Sequence, residues 1–223
     1  RQGLFERLNY ANASRDRNTF WVPKISHDIE QGILKKLLKA DSKAKSFYGA
    51  SSGRVFYRTT GGLYWKVFTD SAPESFADGV RGNSSRETSF STREANQAKP
   101  FVAILSSNLF WWWYTITSNL RDLNPSDIQE FSLPNVAVAS DEIVRLADDF
   151  IADMQKNSTM LIRNQRNTGQ STQTQSFKVR TSKPIIDKID LELGRLLGFT
   201  DEETDFIINY DIKYRMGGTD DEA

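Results

Sequence analysis

Residues Phe110–Phe131 read "FWWWYTITSNLRDLNPSDIQEF", and the fold turns on how they are read. Three consecutive tryptophans, Trp111, Trp112 and Trp113, stand directly before a polar, turn-rich segment. Consecutive helical residues point about 100° apart, so the three rings cannot share one face. Upstream, Phe101, Leu105, Leu109, Trp112 and Ile116 form one apolar stripe, which predicts a long helix over 93–118. Ile104, Trp111 and Tyr114 lie beyond that stripe, so the end of the helix is apolar on most sides. The expectation is burial between a sheet and a second layer, or against a neighbouring domain. The rival reading keeps one ring open for stacking on a base. Downstream, Asn124 suits an N-cap, Pro125 the first helical position and Asp127 the first turn of a short helix ending before Pro134. Arg121 falls in the turn, beside a helix N-terminus able to hold a phosphate.

Towards the N-terminus, "LFERLNY" (4–10) alternates as a strand would. In "FWVPKISHDIEQGILKKLLKA" (20–40), Ser26 can cap a helix with Ile29, Ile33, Leu37 and Leu38 on one side. Lys35, Lys36 and Lys39 then complement the helix dipole or meet phosphates. "GRVFYRTTGGLYWKVF" (53–68) reads as a β-hairpin around Thr-Thr-Gly-Gly. Phe56, Trp65 and Val67 suit a core face; Arg54, Arg58 and Lys66 with Tyr57 and Tyr64 suit the other. Interleaved cations and aromatics fit a nucleic-acid surface and equally an ordinary two-faced hairpin. Residues 69–87 read as a loop, followed by a short strand in "RETSFS". In that loop Arg81, Asn83 and Arg86 have the chemistry to read base edges.

Beyond 135 the character changes. A helix over 140–156 turns Ile143, Leu146, Ala147, Phe150 and Met154 inward. "NQRNTGQSTQTQS" (164–176) is polar and low in complexity, and is read as a surface loop. Pro184 opens a helix carrying Ile186, Ile189, Leu193, Leu196 and Leu197; Gly198 stops it, and Thr200 with Glu203 forms the next capping box. The expected class is α+β: a small mixed sheet packed by the aromatic helix, then a mostly helical part. The expected divisions are 1–135, 136–216 and a disordered tail over 217–223.

The 223 residues carry no cysteine, which excludes disulfides and thiolate metal sites. The single histidine, His27, excludes a two-histidine metal site and leaves no serine-histidine-aspartate constellation in prospect. No apolar run reaches the ~20 residues of a membrane span. The sequence does not start with methionine and is read as part of a longer chain. Net charge is zero, yet unevenly spread: residues 1–66 hold 13 Lys and Arg against 5 Asp and Glu, whereas 141–223 hold 11 against 16. A basic first third suits a polyanionic partner. No phosphate-binding glycine motif and no acid/base dyad stands out, so the chain is expected to carry no active site.

Ser106-Ser107-Asn108-Leu109-Phe110, then Arg121-Asp122-Leu123-Asn124, then Asp127-Ile128 and Phe131-x-x-Pro134 follow a recognisable order. This text resembles the target-recognition (specificity) domains of bacterial N6-adenine DNA methyltransferases. Such domains also occur in type IIG-like restriction-modification enzymes and in type I specificity subunits. "LFERLNY", "VPKISHDIEQGILKKLL", "GGLYWKVF" and the helical text from 182 to 217 extend the likeness over most of the chain. The resemblance implies a domain that grips double-stranded DNA and selects its sequence. It implies a bacterial cytoplasmic parent that uses S-adenosylmethionine and works on a base taken out of the stack. The Asn/Asp-Pro-Pro-Tyr/Phe motif and a cofactor glycine motif do not occur here, so methyl transfer would belong to a catalytic domain of the same chain. Phosphate contacts are expected among Lys24, Arg54, Lys66 and Arg121, and base contacts among Arg58, Arg81, Asn83 and Arg86. The alternative is a protein-docking module that joins the methyltransferase to a partner subunit through the tryptophan helix and the acidic C-terminal helices.

Overall fold

The computed structural model describes residues 21–62, 64–84, 86–164 and 169–217. The strand expected over 4–10 lies outside them, as does the tail expected over 217–223 except for Gly217, which is the last residue of a helix. Helix α1 (Asp28–Leu38) comes first. It is capped by His27, whose Nδ1 accepts from the Ile29 amide, rather than by Ser26. The reason is Glu30: its carboxylate folds back to accept from both the Ser26 and His27 amides, which fixes His27 at the N-cap. Two-residue strand β1 (Ser42–Lys43) pairs with β7 (Ser132–Leu133). Strands β2 (Arg54–Arg58), β3 (Phe68–Thr69) and β6 (Glu87–Ser91) form a second sheet in the order β3-β2-β6. Between them, β4 (Ser75–Ala77) and β5 (Val80–Arg81) turn at Asp78-Gly79, both with positive φ.

The aromatic segment is two helices, not one. Helix α2 (Ala98–Ser106) ends and α3 (Asn108–Thr117) begins around Ser107, whose backbone is extended. Ser107 Oγ caps α3 by accepting from the Phe110 amide. Helices α4 (Pro125–Gln129), α5 (Asn135–Ala139) and α6 (Asp141–Lys156) follow. Asn124 caps α4 and Ser140 caps α6, with the expected residues of α6 buried. Next come β8 (Thr159–Asn164), β9 (Ser171–Ser176), α7 (Lys183–Leu197), α8 (Asp201–Ile208) and α9 (Ile212–Gly217).

The chain is α+β, as the sequence implies, but its described strands sort into three small antiparallel sheets rather than one mixed sheet. Helices α2 and α3 are the middle of the molecule. The β2–β3–β6 sheet covers one side, and α6, α7 and α8 cover the other. One cluster of buried side chains runs from Ile33 to Ile207, crossing residue 135 without a break. The opening question about the tryptophans has a packing answer. Trp111, Trp112 and Trp113 are 5 %, 0 % and 1 % exposed. Each indole N–H is satisfied: Trp111 by Asp211, Trp112 by Glu30 and Trp113 by the Asp127 carbonyl. None is left for a base.

Two further expectations fail. Residues 64–67 form no strand, and β2 pairs instead with Phe68–Thr69 and with β6. Val55 and Tyr57 therefore point to the core, while Arg54, Phe56 and Arg58 take the open face. The 164–176 segment is also not a plain loop. From Ser171 it is β9, which pairs with β8 and with β4 in the order β5-β4-β9-β8. No residue of these four strands is buried, so they form an arm wet on both faces.

Gly198 closes α7 at φ 69°, and a Cβ there would meet nothing within 4 Å. Gly198→Ala is expected to lower stability by about 1 kcal/mol through backbone strain alone. A urea unfolding series on both proteins checks it; no change in midpoint would remove this glycine from the stop signal.

Candidate functional site

A cleft of about 240 Å³ opens where the β2–β3–β6 sheet meets the foot of the arm. Its floor is the open face of that sheet, with Phe56, Arg58 and Glu87. Arg58 and Glu87 are direct cross-strand partners, which puts their side chains on one face. Residues 60–62 and 64–67, with α9, make one wall, which carries Tyr64, Trp65, Tyr214 and Arg215. The other wall comes from the arm and the segment after it, with Arg163, Gln175, Phe177 and Lys178.

The first wall is held rigidly. Trp65 Nε1 donates to the Arg215 carbonyl at 3.0 Å, and the Arg215 guanidinium lies 3.7 Å from the Trp65 ring centroid. Arg215 Nε also donates to the Tyr64 carbonyl at 3.3 Å, and Tyr64 stacks on Tyr214 with centroids 5.9 Å apart. Gly61 and Gly62, both left-handed, allow the turn that brings this wall back over β2. Arg215 is itself anchored in the interior, where Asn108 Oδ1 accepts from it. Burial pulls its guanidinium down to about 10, against the opposing charges of Asp190 and Asp211.

Five of the ten residues singled out in the sequence line this cleft: Tyr57, Arg58, Tyr64, Lys66 and Arg86. Their roles differ. Tyr57 is buried towards the core. Lys66 Nζ donates to the Gly61 carbonyl and sits 5.0 Å from the Tyr114 ring centroid, and burial pulls its ammonium below the ordinary lysine value. It braces the loop. Arg58 and Arg86 face the cleft without an ion pair among the described residues, as do Arg163 and Lys178 from the other wall.

The other five lie outside it. Lys24 Nζ donates to the Ser118 carbonyl at 2.6 Å, a cation placed at the C-terminus of α3. Arg54 is exposed, 5.8 Å from the Phe56 ring centroid. Arg81 stands on the arm, 4.0 Å from Glu74, and Asn83 is exposed in the segment after β5. Arg121 is the freest, with its side chain 86 % exposed beside Asp122. The N-terminus of α4 next to it holds no room for a phosphate, because the Asp127 carboxylate already accepts from the Asn124 amide at 2.8 Å.

Arg163, Phe177, Lys178, Tyr214 and Arg215 escaped the sequence reading. For the arm a signal existed: "STQTQS" alternates threonine with glutamine, and Asp78-Gly79 is a hairpin dipeptide. For α9 there was none, since its contact with Trp65 joins residues 150 positions apart.

Among the described residues no cluster of histidine and carboxylate side chains could hold a metal ion, and no helix is long and apolar enough to cross a membrane. Comparison of the chain with protein-family models, with curated proteins and with solved structures found no match.

Proposed function

We propose that this chain is a double-stranded DNA recognition domain, the specificity part of an adenine-N6 DNA methyltransferase of the restriction-modification kind. The observation that supports it best is the cleft. Arg58, Arg86, Arg163 and Lys178 converge on it from separate elements, and Glu87 is the carboxylate among its lining residues. Cations held close together at a concave surface attract a polyanion. The polar arm beside it adds threonine and glutamine side chains on a four-stranded sheet. In this reading S-adenosylmethionine and the catalytic residues belong to a separate domain of a bacterial cytoplasmic enzyme, as the motif resemblance implies. The rival docking reading loses its strongest support, because the tryptophan helix is covered by the chain's own residues.

Binding of a labelled duplex, followed by fluorescence anisotropy over a salt series, tests the proposal. Affinity should fall steeply with salt. Removing Arg58, Arg86 and Arg163 together, each to Ala, should flatten the log–log slope by about 2 to 3, at roughly 0.9 per phosphate contact. Circular dichroism of the variant guards against misfolding. Wild-type protein that binds no duplex at low salt would end the DNA reading.

A further inference from the structure

The carboxylate on the cleft floor has no role in gripping phosphate. Glu87 Oε1 is buried and accepts no hydrogen bond among the described residues. A buried carboxylate oxygen without a donor is unfavourable in the unliganded protein. Burial pushes the Glu87 carboxyl up to about 6, with Arg58 opposing the shift. Yet Arg58, its cross-strand neighbour, forms no ion pair with it. Glu87 shares the cavity with two kinds of group. Aromatic rings stand to one side, where Tyr64 and Tyr214 are both exposed. Cations line it as well, from Arg58, Arg86, Arg163 and Lys178.

A ligand that satisfies all three must present a hydrogen-bond donor, a flat ring and an anion within one small molecule's span. A nucleotide whose base carries an amino group does so. Adenine and cytosine offer an exocyclic N–H₂ to a carboxylate acceptor, whereas unpaired thymine offers only its N3–H, flanked by two carbonyl oxygens that a carboxylate repels. The cavity of about 240 Å³ is large enough for one base.

We propose that the cleft receives a single unstacked nucleotide, with Glu87 accepting from the amino group of its base and Arg58, Arg86 or Arg163 meeting its phosphate. The inference rests on the DNA reading above and adds to it a site for one unpaired base. Taking a base out of a stack is unfavourable by a few kcal/mol and least so where it is already unpaired, so bulged duplexes are the right probes.

The test compares anisotropy-measured affinities for duplexes carrying one bulged adenine, one bulged cytosine, one bulged thymine or no bulge. Titrations with dAMP, dCMP and TMP run in parallel. Bulged adenine and cytosine should bind roughly tenfold tighter than bulged thymine, the scale of one hydrogen bond to a charged group. Glu87→Gln keeps the shape, and its amide can also donate to thymine, so it should close most of that gap while binding to unbulged duplex stays intact. Glu87→Leu should lose the preference too. Equal affinity for the three bulges, or a preference that survives Glu87→Gln, would overturn the nucleotide site and leave duplex binding standing. Tight binding of dAMP and dCMP but not TMP, with no duplex binding, would support the same site with a free nucleotide as its occupant and put the failure in the DNA reading alone. Binding of none of these probes would overturn both.

Discussion

Trp112→Ala is expected to lower the unfolding free energy by about 3–5 kcal/mol, the usual range for removing a large buried aromatic. Trp112 is fully buried at the centre of α3, a helix that packs against α2, α7 and α8. Its loss opens a cavity among residues that are already close-packed. It also takes a donor from Glu30, whose Oε1 accepts the indole N–H at 3.0 Å. Glu30 is itself 1 % exposed, and its other oxygen holds the N-cap of α1 through the Ser26 and His27 amides. The substitution therefore loosens α1 as well as the core. Against a typical domain stability of about 5–15 kcal/mol, the variant would be close to unfolding at room temperature. Urea unfolding followed by far-ultraviolet dichroism measures it. Trp112→Phe should recover part of the loss by refilling the space, though not the hydrogen bond. A loss below about 1 kcal/mol for the alanine variant would mean that the ring is not packed as described.

Asp190→Ala is the second large case, for a different reason. Asp190 reaches from α7 to the start of α3 and accepts from the Asn108 amide at 3.0 Å, the Leu109 amide at 2.9 Å and the Asn108 side chain at 2.7 Å. It thus satisfies the opening N–H groups of a buried helix end that has no water to turn to. Asn108 passes the contact on to Arg215, which is 3 % exposed. Removing the carboxylate leaves two amides without acceptors and a buried guanidinium without its nearby anion. Breaking such a buried arrangement lowers stability by about 3–5 kcal/mol. In a cycle of Asp190→Ala, Arg215→Met and the double variant, the double should lose less than the sum of the singles. Strict additivity would show that the two groups do not communicate.

Asp190 also carries a pH signature. Burial raises its carboxyl to about 7 from the ordinary 3.8, outweighing the amide hydrogen bonds and the Arg215 charge that pull the other way. The sign follows from which state holds the proton more tightly. A carboxyl raised in the folded state favours folding fully below its unfolded value, and that contribution is lost as pH rises through the folded value. The difference in urea midpoint between the wild type and Asp190→Asn should therefore change between about pH 4 and pH 7, with the wild type losing ground as pH rises. Using the difference removes the background from Glu130 and Glu192, whose ion pairs pull their carboxyls down and act in the opposite direction. A flat difference would mean that Asp190 titrates where an exposed aspartate does.

What the sequence determined by itself was local. The inward face of α6, the Asn124 cap and Pro125 start of α4, the Gly198 stop and the Thr200–Glu203 capping box were all legible. Each depends on residues three or four positions apart, which a helix brings together whatever surrounds it. The burial of the tryptophans was legible too, because rings pointing in three directions need neighbours all round. Only the tertiary structure decided the rest. Which face of β2 turns inward depends on its pairing with Phe68 and with β6, and a shift of one residue exchanges Tyr57 for Phe56. The helix breaks at Ser107 because Asp190, over 80 residues away, stands ready to cap a new start. The arm exists because Ser75 pairs with Thr174, and neither polar segment has a buried face to announce it alone. The cleft is the furthest from the sequence: β2 and the loop wall are neighbours along the chain, but the arm and α9 come from distant stretches, joined to them by contacts that no local pattern encodes.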